Sequence, residues 1–209
     1  ISYSIFDICQ SIIQNKCKSG FQNRACFSPQ KPGNQQLQRE RTERIQELNP
    51  PETLKRIGLT RGNTFCDIGA ERGFTFAASE LTNSKVYAVE IFPELLELLQ
   101  SRQSERNARN VIVENNVKNV PDSSCDTALL APFYELEKPG EMLEQIRHIL
   151  KPGGILAVIE FFTTPTQFGP PPERRWSPER LEEQLTARRF AAPHGFELGE
   201  TLYTQIGRT

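Results

Sequence analysis

From about residue 60 to about residue 190, short apolar runs alternate with amphipathic segments, and this order limits the fold more than any single motif does. "NTFCDI", "KVYAVE", "NVIVE", "DTALLA" and "GGILAVIEF" read as strands. "GFTFAASEL", "PELLELLQSR" and "GEMLEQIRHIL" read as helices between them. "SPERLEEQLTARR" follows, with Ser177 as the expected N-cap and Pro178 at the first helical position. "PPETLKRIGL", ahead of the first strand, reads as a short helix opened by proline and stopped at Gly58. Strands that alternate with helices predict a parallel sheet covered on both faces. "GFELGE" and "LYTQIGR" close the chain with no helix between them, so they are expected to pair as an antiparallel edge. The expected class is therefore α/β: a doubly wound, seven-stranded, mostly parallel sheet with an antiparallel last strand.

Residues 1–45 follow a different grammar and are expected to form an N-terminal extension, with the main domain at 46–209. "YSIFDICQSIIQN" places Ile5, Cys9 and Ile12 or Ile13 at helical spacing, which predicts a short amphipathic helix. Its apolar face needs the main core, a role as a lid over the site, or another subunit; the last would make the chain a homo-oligomer. "PQKPGNQQLQRERTER" reads as a linker running into a solvated helix.

Charge is almost balanced, 25 Lys and Arg against 26 Asp and Glu. That leaves no overall field to steer the chain toward nucleic acid or an anionic membrane. No apolar run approaches the ~18–20 residues of a membrane span, and the start lacks the pattern of a signal peptide. The five cysteines, Cys9, Cys17, Cys26, Cys66 and Cys125, are odd in number and widely spaced. They form no disulfide framework, so a reducing, cytoplasmic setting is expected. Cys9, Cys17 and Cys26 include no CxxC pair and read as small hydrophobes rather than metal ligands, and no other cluster has metal-ligand spacing.

The first strand runs into "FCDIGAERGF". In an open parallel sheet the turn after the first strand is the usual ligand cradle. Its glycines let backbone pass close to a ligand, and the next helix offers free N–H groups. The loop is G-x-x-x-G with Asp67 before it, not the G-x-G-x-x-G of a dinucleotide site. It resembles the first motif of the class I S-adenosylmethionine-dependent methyltransferases, D/E-x-G-x-G-x-G, with Glu71 where that family has glycine. "VYAVEIFPELLE", "VENNVKNVP", "DSSCDTALLAPFYEL" and "LKPGGILAVIEF" resemble later motifs in the right order. The likeness covers about residues 50–209 and implies the Rossmann-like methyltransferase fold.

The same resemblance implies S-adenosyl-L-methionine as cofactor. Asp67, Gly69, Ala70 and Gly73 would line its methionine end. Glu90 would accept from the ribose hydroxyls, and Ile91 would lie along the adenine. Asn116, in place of the family's aspartate, would take the adenine amino group, with Val117 beside it. Ala131 would stand at the segment near the reacting methyl. Glu71 is expected to point outward, toward Arg72 or Arg61, and to leave binding intact; a weakened or lost cofactor site is the alternative.

The expected activity is direct in-line methyl transfer to an unidentified acceptor; the lack of any large insertion points to a small molecule or an accessible group on a partner, and a small molecule is the expectation. Alignment alone can supply up to ~7–11 kcal/mol of such a reaction's barrier. Tyr134, Glu135 and Glu160 are the candidates for a base. A catalytically silent, methyltransferase-like binding module is the alternative, favoured by Glu71 and Asn116. A nicotinamide dehydrogenase is weaker, because it leaves "LKPGG" unexplained. In "PPPERRW", Arg174 and Arg175 could grip an anionic substrate, but a solvated loop is the favoured expectation. Trp176 would line a pocket or anchor that loop. His148 reads as structural and His194 as a loop residue without an evident partner.

Overall fold

The computed structural model describes residues 47–166 and 169–209, with Glu71 described by its backbone alone. The expected N-terminal helix, the linker, and Cys9, Cys17 and Cys26 lie outside the described residues. The elements in chain order are α1 (Pro50–Arg56), β1 (Phe65–Ile68), α2 (Phe74–Leu81), β2 (Val86–Val89), α3 (Pro93–Glu105), β3 (Val111–Glu114), β4 (Cys125–Leu130), α4 (Pro139–Ile149), β5 (Leu150–Phe161), α5 (Pro178–Ala187), β6 (Ala191–Leu198) and β7 (Leu202–Arg208).

The seven strands form one sheet in the order β3-β2-β1-β4-β5-β7-β6. The pairs β1–β2, β1–β4, β2–β3 and β4–β5 are parallel. β7 runs antiparallel to both its neighbours. The expected doubly wound, mostly parallel sheet is therefore the observed one, and β7 is its reversed strand.

All four residues of β1 and of β2 are buried, as parallel strands under two helical layers must be. Period-2 alternation splits the core in two. One layer joins Phe65, Ala88 and Leu129 to Leu54 of α1, Phe74, Phe76 and Ala78 of α2 and Leu99 of α3. The other joins Cys66, Ile68 and Leu130 to Leu143 and Ile146 of α4 and Leu181 and Leu185 of α5. Helix starts follow the local signals. Pro50, Pro93, Pro139 and Pro178 stand at the openings of α1, α3, α4 and α5. The Ser177 hydroxyl accepts from the Arg180 amide at 3.3 Å.

Two boundaries differ from expectation. β5 begins at Leu150, because Leu150 already pairs with Cys125 before a register shift. β6 begins at Ala191 rather than at "GFELGE", with an irregularity between Ala191 and His194. An edge strand tolerates Pro193 there, since one row of its amides needs no ladder partner. His194 is thus a strand residue, exposed, with Nδ1 3.2 Å from the Ala192 carbonyl oxygen. Among the described residues, no helix is long and apolar enough to cross a membrane.

Candidate active site at the carboxyl edge of the sheet

Strand order reverses between β1 and β4: the chain leaves β1 toward β2 and returns on the other side. In an open α/β sheet, ligands bind outside the carboxyl ends of the strands at such a reversal. The loop after β1 is a single 3-10 turn, Ala70–Arg72, held between two left-handed glycines. Gly69 has φ +81° and Gly73 φ +91°. The unfavourable backbone thus falls on glycines, and Glu71 sits in a helical turn that any residue can adopt. Where the Glu71 side chain points lies outside the described residues.

A Cβ on Gly69 would run into the Ala131 carbonyl oxygen. The Ala131 amide in turn donates to the Ile68 carbonyl at 3.2 Å. The loops after β1 and β4 are therefore in backbone contact, and Ala70 and Ala131 are both buried beside it. A Cβ on Gly73 would meet nothing within 4 Å. Asp67 is buried, and its Oδ2 accepts from the Thr75 hydroxyl at 2.6 Å. Sequence reasoning missed Thr75; the one signal was a hydroxyl in the first turn of an otherwise apolar helix.

At the end of β2, Glu90 is buried, with an amide that donates to the Glu114 carbonyl at 3.0 Å. Its Oε1 accepts from the amides of Ile91 at 2.8 Å and Phe92 at 3.2 Å. Those bonds fix the carboxylate at the strand's carboxyl end. The neighbouring Ile91 is 62% exposed, the exception among the large hydrophobic side chains of the described residues. After β3, the Asn116 side chain accepts from the Lys118 amide at 3.0 Å and caps the turn Val117–Asn119. Asn116 is exposed and Val117 buried.

The three expected base candidates separate in the structure. Tyr134 is half-buried, its ring 6.1 Å from that of Phe161. Glu135 is exposed, 3.8 Å from Arg72. Glu160 is fully buried. Its Oε2 accepts from the Tyr134 amide at 2.7 Å and its Oε1 from the Phe161 amide at 2.6 Å. Burial raises its pKa to about 7, against the pull of those two amides and of Arg72 and Arg175. The carboxylate is enclosed and bonded to main chain, so it holds structure rather than facing an acceptor.

The favoured expectation for Arg175, a solvated loop, is overturned. Arg175 is buried, and its guanidinium donates to the carbonyls of Pro170 (2.8 Å), Phe162 (2.9 Å) and Thr164 (2.7 Å) and to the Thr166 hydroxyl (2.6 Å). It ties together the chain leaving β5. Arg174 is exposed, 5.9 Å from the centre of the Tyr134 ring. Trp176 anchors the segment: it stands edge-on to Phe133 at 5.1 Å, and its carbonyl accepts from the Tyr203 hydroxyl at 2.8 Å. His148 is exposed on α4. Among the described residues, no group of His, Cys, Asp or Glu could hold a metal ion.

The family model described as "Methyltransferase domain" matches residues 66–158, which include the loops after β1, β2, β3 and β4. Over these residues the chain carries a methyltransferase domain. A solved SAM-dependent methyltransferase from Aquifex aeolicus is 25% identical and superimposes with a TM-score of 0.75, covering 85% of this chain and 99% of that one. A demethylmenaquinone methyltransferase of Tropheryma whipplei is 28% identical over 108 residues. That match takes in 51% of this chain and 45% of the relative, so the likeness spans about half the length of the curated protein. A Burkholderia thailandensis 1,6-didemethyltoxoflavin-N1-methyltransferase, solved with its substrate and S-adenosylhomocysteine, covers 100% of this chain at 17% identity and a TM-score of 0.61, which speaks for the fold.

Proposed function

We propose that this chain is a cytoplasmic S-adenosylmethionine-dependent methyltransferase that moves the methyl group in line to a small-molecule acceptor. When bound, the cofactor supplies a methyl on a sulfonium, which leaves as a neutral thioether when an acceptor's lone pair attacks the carbon. The observation that carries the proposal is the pairing of Glu90 with Ile91. A buried carboxylate fixed at the end of β2, beside an apolar side chain left 62% exposed, suits a ribose diol next to the face of a purine. Around the switch point, Asp67 stands buried behind the loop, and the open space over Gly73 leaves room for the methionine end.

Gly69, Ala70 and Ala131 would bring the β1 and β4 loops together beneath the reacting centre. Asn116 and Val117 would close the adenine end, Asn116 through the acceptor capacity left on its side-chain oxygen. On the acceptor side, Tyr134 and Glu135 are the groups that reach solvent, and they would orient the nucleophile or take its proton. Residues 1–45 are proposed as a separate extension that selects the acceptor or joins two copies. A small, conjugated acceptor is favoured by the named substrates of the relatives, a menaquinone precursor and a toxoflavin precursor.

Thermal shift with S-adenosylmethionine, S-adenosylhomocysteine and NAD tests the proposal first. Either adenosyl ligand at about 100 times its Kd should add about 2.7 kcal/mol of stability, and NAD none. Transfer of labelled methyl to quinols, phenols and N-heterocycles then identifies the acceptor. No shift with either adenosyl ligand rules the proposal out.

A further inference from the structure

β4 and β5 pair in parallel as far as Leu130↔Val158. β5 then continues to Phe161 while its other edge stays paired with β7, up to Phe161↔Leu202. Along the side that β4 has left, the Glu160 carboxylate stands in as acceptor. One oxygen takes the Phe161 amide of β5, and the other takes the Tyr134 amide of the loop after β4. The clamp joins the main chains of the same two residues whose rings touch.

We infer that Glu160 is a positioning residue for the acceptor side of the site: its buried carboxylate holds the Tyr134 amide against β5 and so sets where the Tyr134 ring and the loop after β4 stand. The inference deepens the proposed methyltransferase function, on which its meaning for an acceptor rests. The chemistry of the clamp requires a carboxylate. Both oxygens accept, whereas an amide turns a hydrogen toward one of the two N–H groups and a protonated acid leaves one oxygen a weaker, uncharged acceptor. At 2.6 and 2.7 Å the bonds are short, as expected when the acceptor is charged.

The groups facing Glu160 come from four elements. Tyr134 lies on the loop after β4, Tyr203 is the cross-strand partner on β7, Arg72 closes the β1 loop, and Arg175 precedes α5. The two arginines favour the carboxylate, and burial opposes them more strongly, so the clamp gains its proton around neutrality. Protonation removes the charge from the acceptor and weakens both bonds. The loop after β4 loosens, while the Glu90–Ile91 end has no part in the clamp.

Trp176 is the chain's one tryptophan, edge-on to Phe133, the residue before Tyr134. Its emission therefore reports on this loop. Followed from about pH 5 to 9, wild-type emission should change in one step centred near 7. Glu160→Gln should abolish the step. A His148→Asn/His194→Asn double variant should keep it, since the chain's two histidines are exposed on α4 and β6. Arg72→Gln, which removes one of the favourable charges, should move the midpoint to higher pH, and it decides the matter if Glu160→Gln does not fold. A step that survives Glu160→Gln, a wild-type protein without one, or a midpoint that Arg72→Gln leaves in place overturns the inference. S-adenosylhomocysteine binding measured in parallel separates the two claims. Normal binding with no step refutes the clamp alone, and a step without binding supports the clamp while refuting the proposed activity.

Discussion

Replacing Gly69 with alanine tests the contact on which the site's geometry turns. Two costs add. The residue has φ +81°, a conformation that costs an L-residue ~1–2 kcal/mol. The new methyl also points at the Ala131 carbonyl oxygen, which is backbone and cannot rotate away as a flexible side chain could. Overpacking of this kind costs ~1–3 kcal/mol. The sum is about 2–5 kcal/mol, and relief requires the β1 loop to back away from the β4 loop. Gly73→Ala is the matched control. Its φ is +91°, but a Cβ there meets nothing within 4 Å, so only the conformational cost of ~1–2 kcal/mol remains. Urea unfolding of both variants should show a lower midpoint for Gly69→Ala at unchanged slope. S-adenosylhomocysteine affinity should also fall further in Gly69→Ala, because the displaced loop carries Ala70. If Gly69→Ala costs no more than Gly73→Ala, the two loops do not touch.

Glu90→Gln keeps the side chain's shape and removes its charge, so calorimetry should show S-adenosylhomocysteine affinity weakened by about 1.5–3 kcal/mol, the usual worth of bonds to a charged group. Unchanged affinity would move the ribose elsewhere. Ile91→Ala should leave the urea midpoint within about 0.5 kcal/mol of wild type, since the side chain is 62% exposed, while lowering adenosyl affinity. A large stability loss instead would mean that Ile91 is packed. Arg175→Lys should destabilise on the order of 2–4 kcal/mol, because one ammonium cannot serve the four oxygens that the guanidinium fork reaches; a neutral outcome by thermal melt would refute the buried clasp. Glu160 gives stability a definite pH sign. Its pKa rises from an ordinary 4.5 to about 7 on folding, so its contribution is fully present below pH 4.5 and is lost as pH rises through 7. That gap of about 2.5 pH units is worth about 3 kcal/mol. Wild type should therefore lose more stability than Glu160→Gln between about pH 5 and 8, and parallel urea curves at each pH would show that Glu160 is ionised throughout.

Element order was legible because its signals are local. The doubly wound sheet follows from runs of period 2 and period 3.6, and the cap at Ser177 from its neighbours in the chain. The β1 loop announced itself through an acid and two glycines. "PPPERRW" shows where such reading ends. Arg174 and Arg175 are adjacent and chemically identical, yet one is exposed and the other is buried against four oxygens. The difference is made by where the chain leaving β5 aims its carbonyls, which no local pattern encodes. Glu160 likewise read as a candidate base, since a carboxylate at a strand end suits either task.

By itself the sequence determined the α/β class, the order of the strands and helices, and the chemical types gathered at the carboxyl edge. Periodicity, capping and turn conformations depend on a few neighbouring residues, so they can be read without a fold. Only the tertiary structure decided that Thr75 holds Asp67, that Gly69 must be bare beneath Ala131, that Glu160 bridges the gap β4 leaves, and that Ile91 stands open to solvent. Each of those outcomes depends on which distant segment the sheet places alongside, and desolvation then sets whether a charged or apolar group there binds, braces or waits for a ligand.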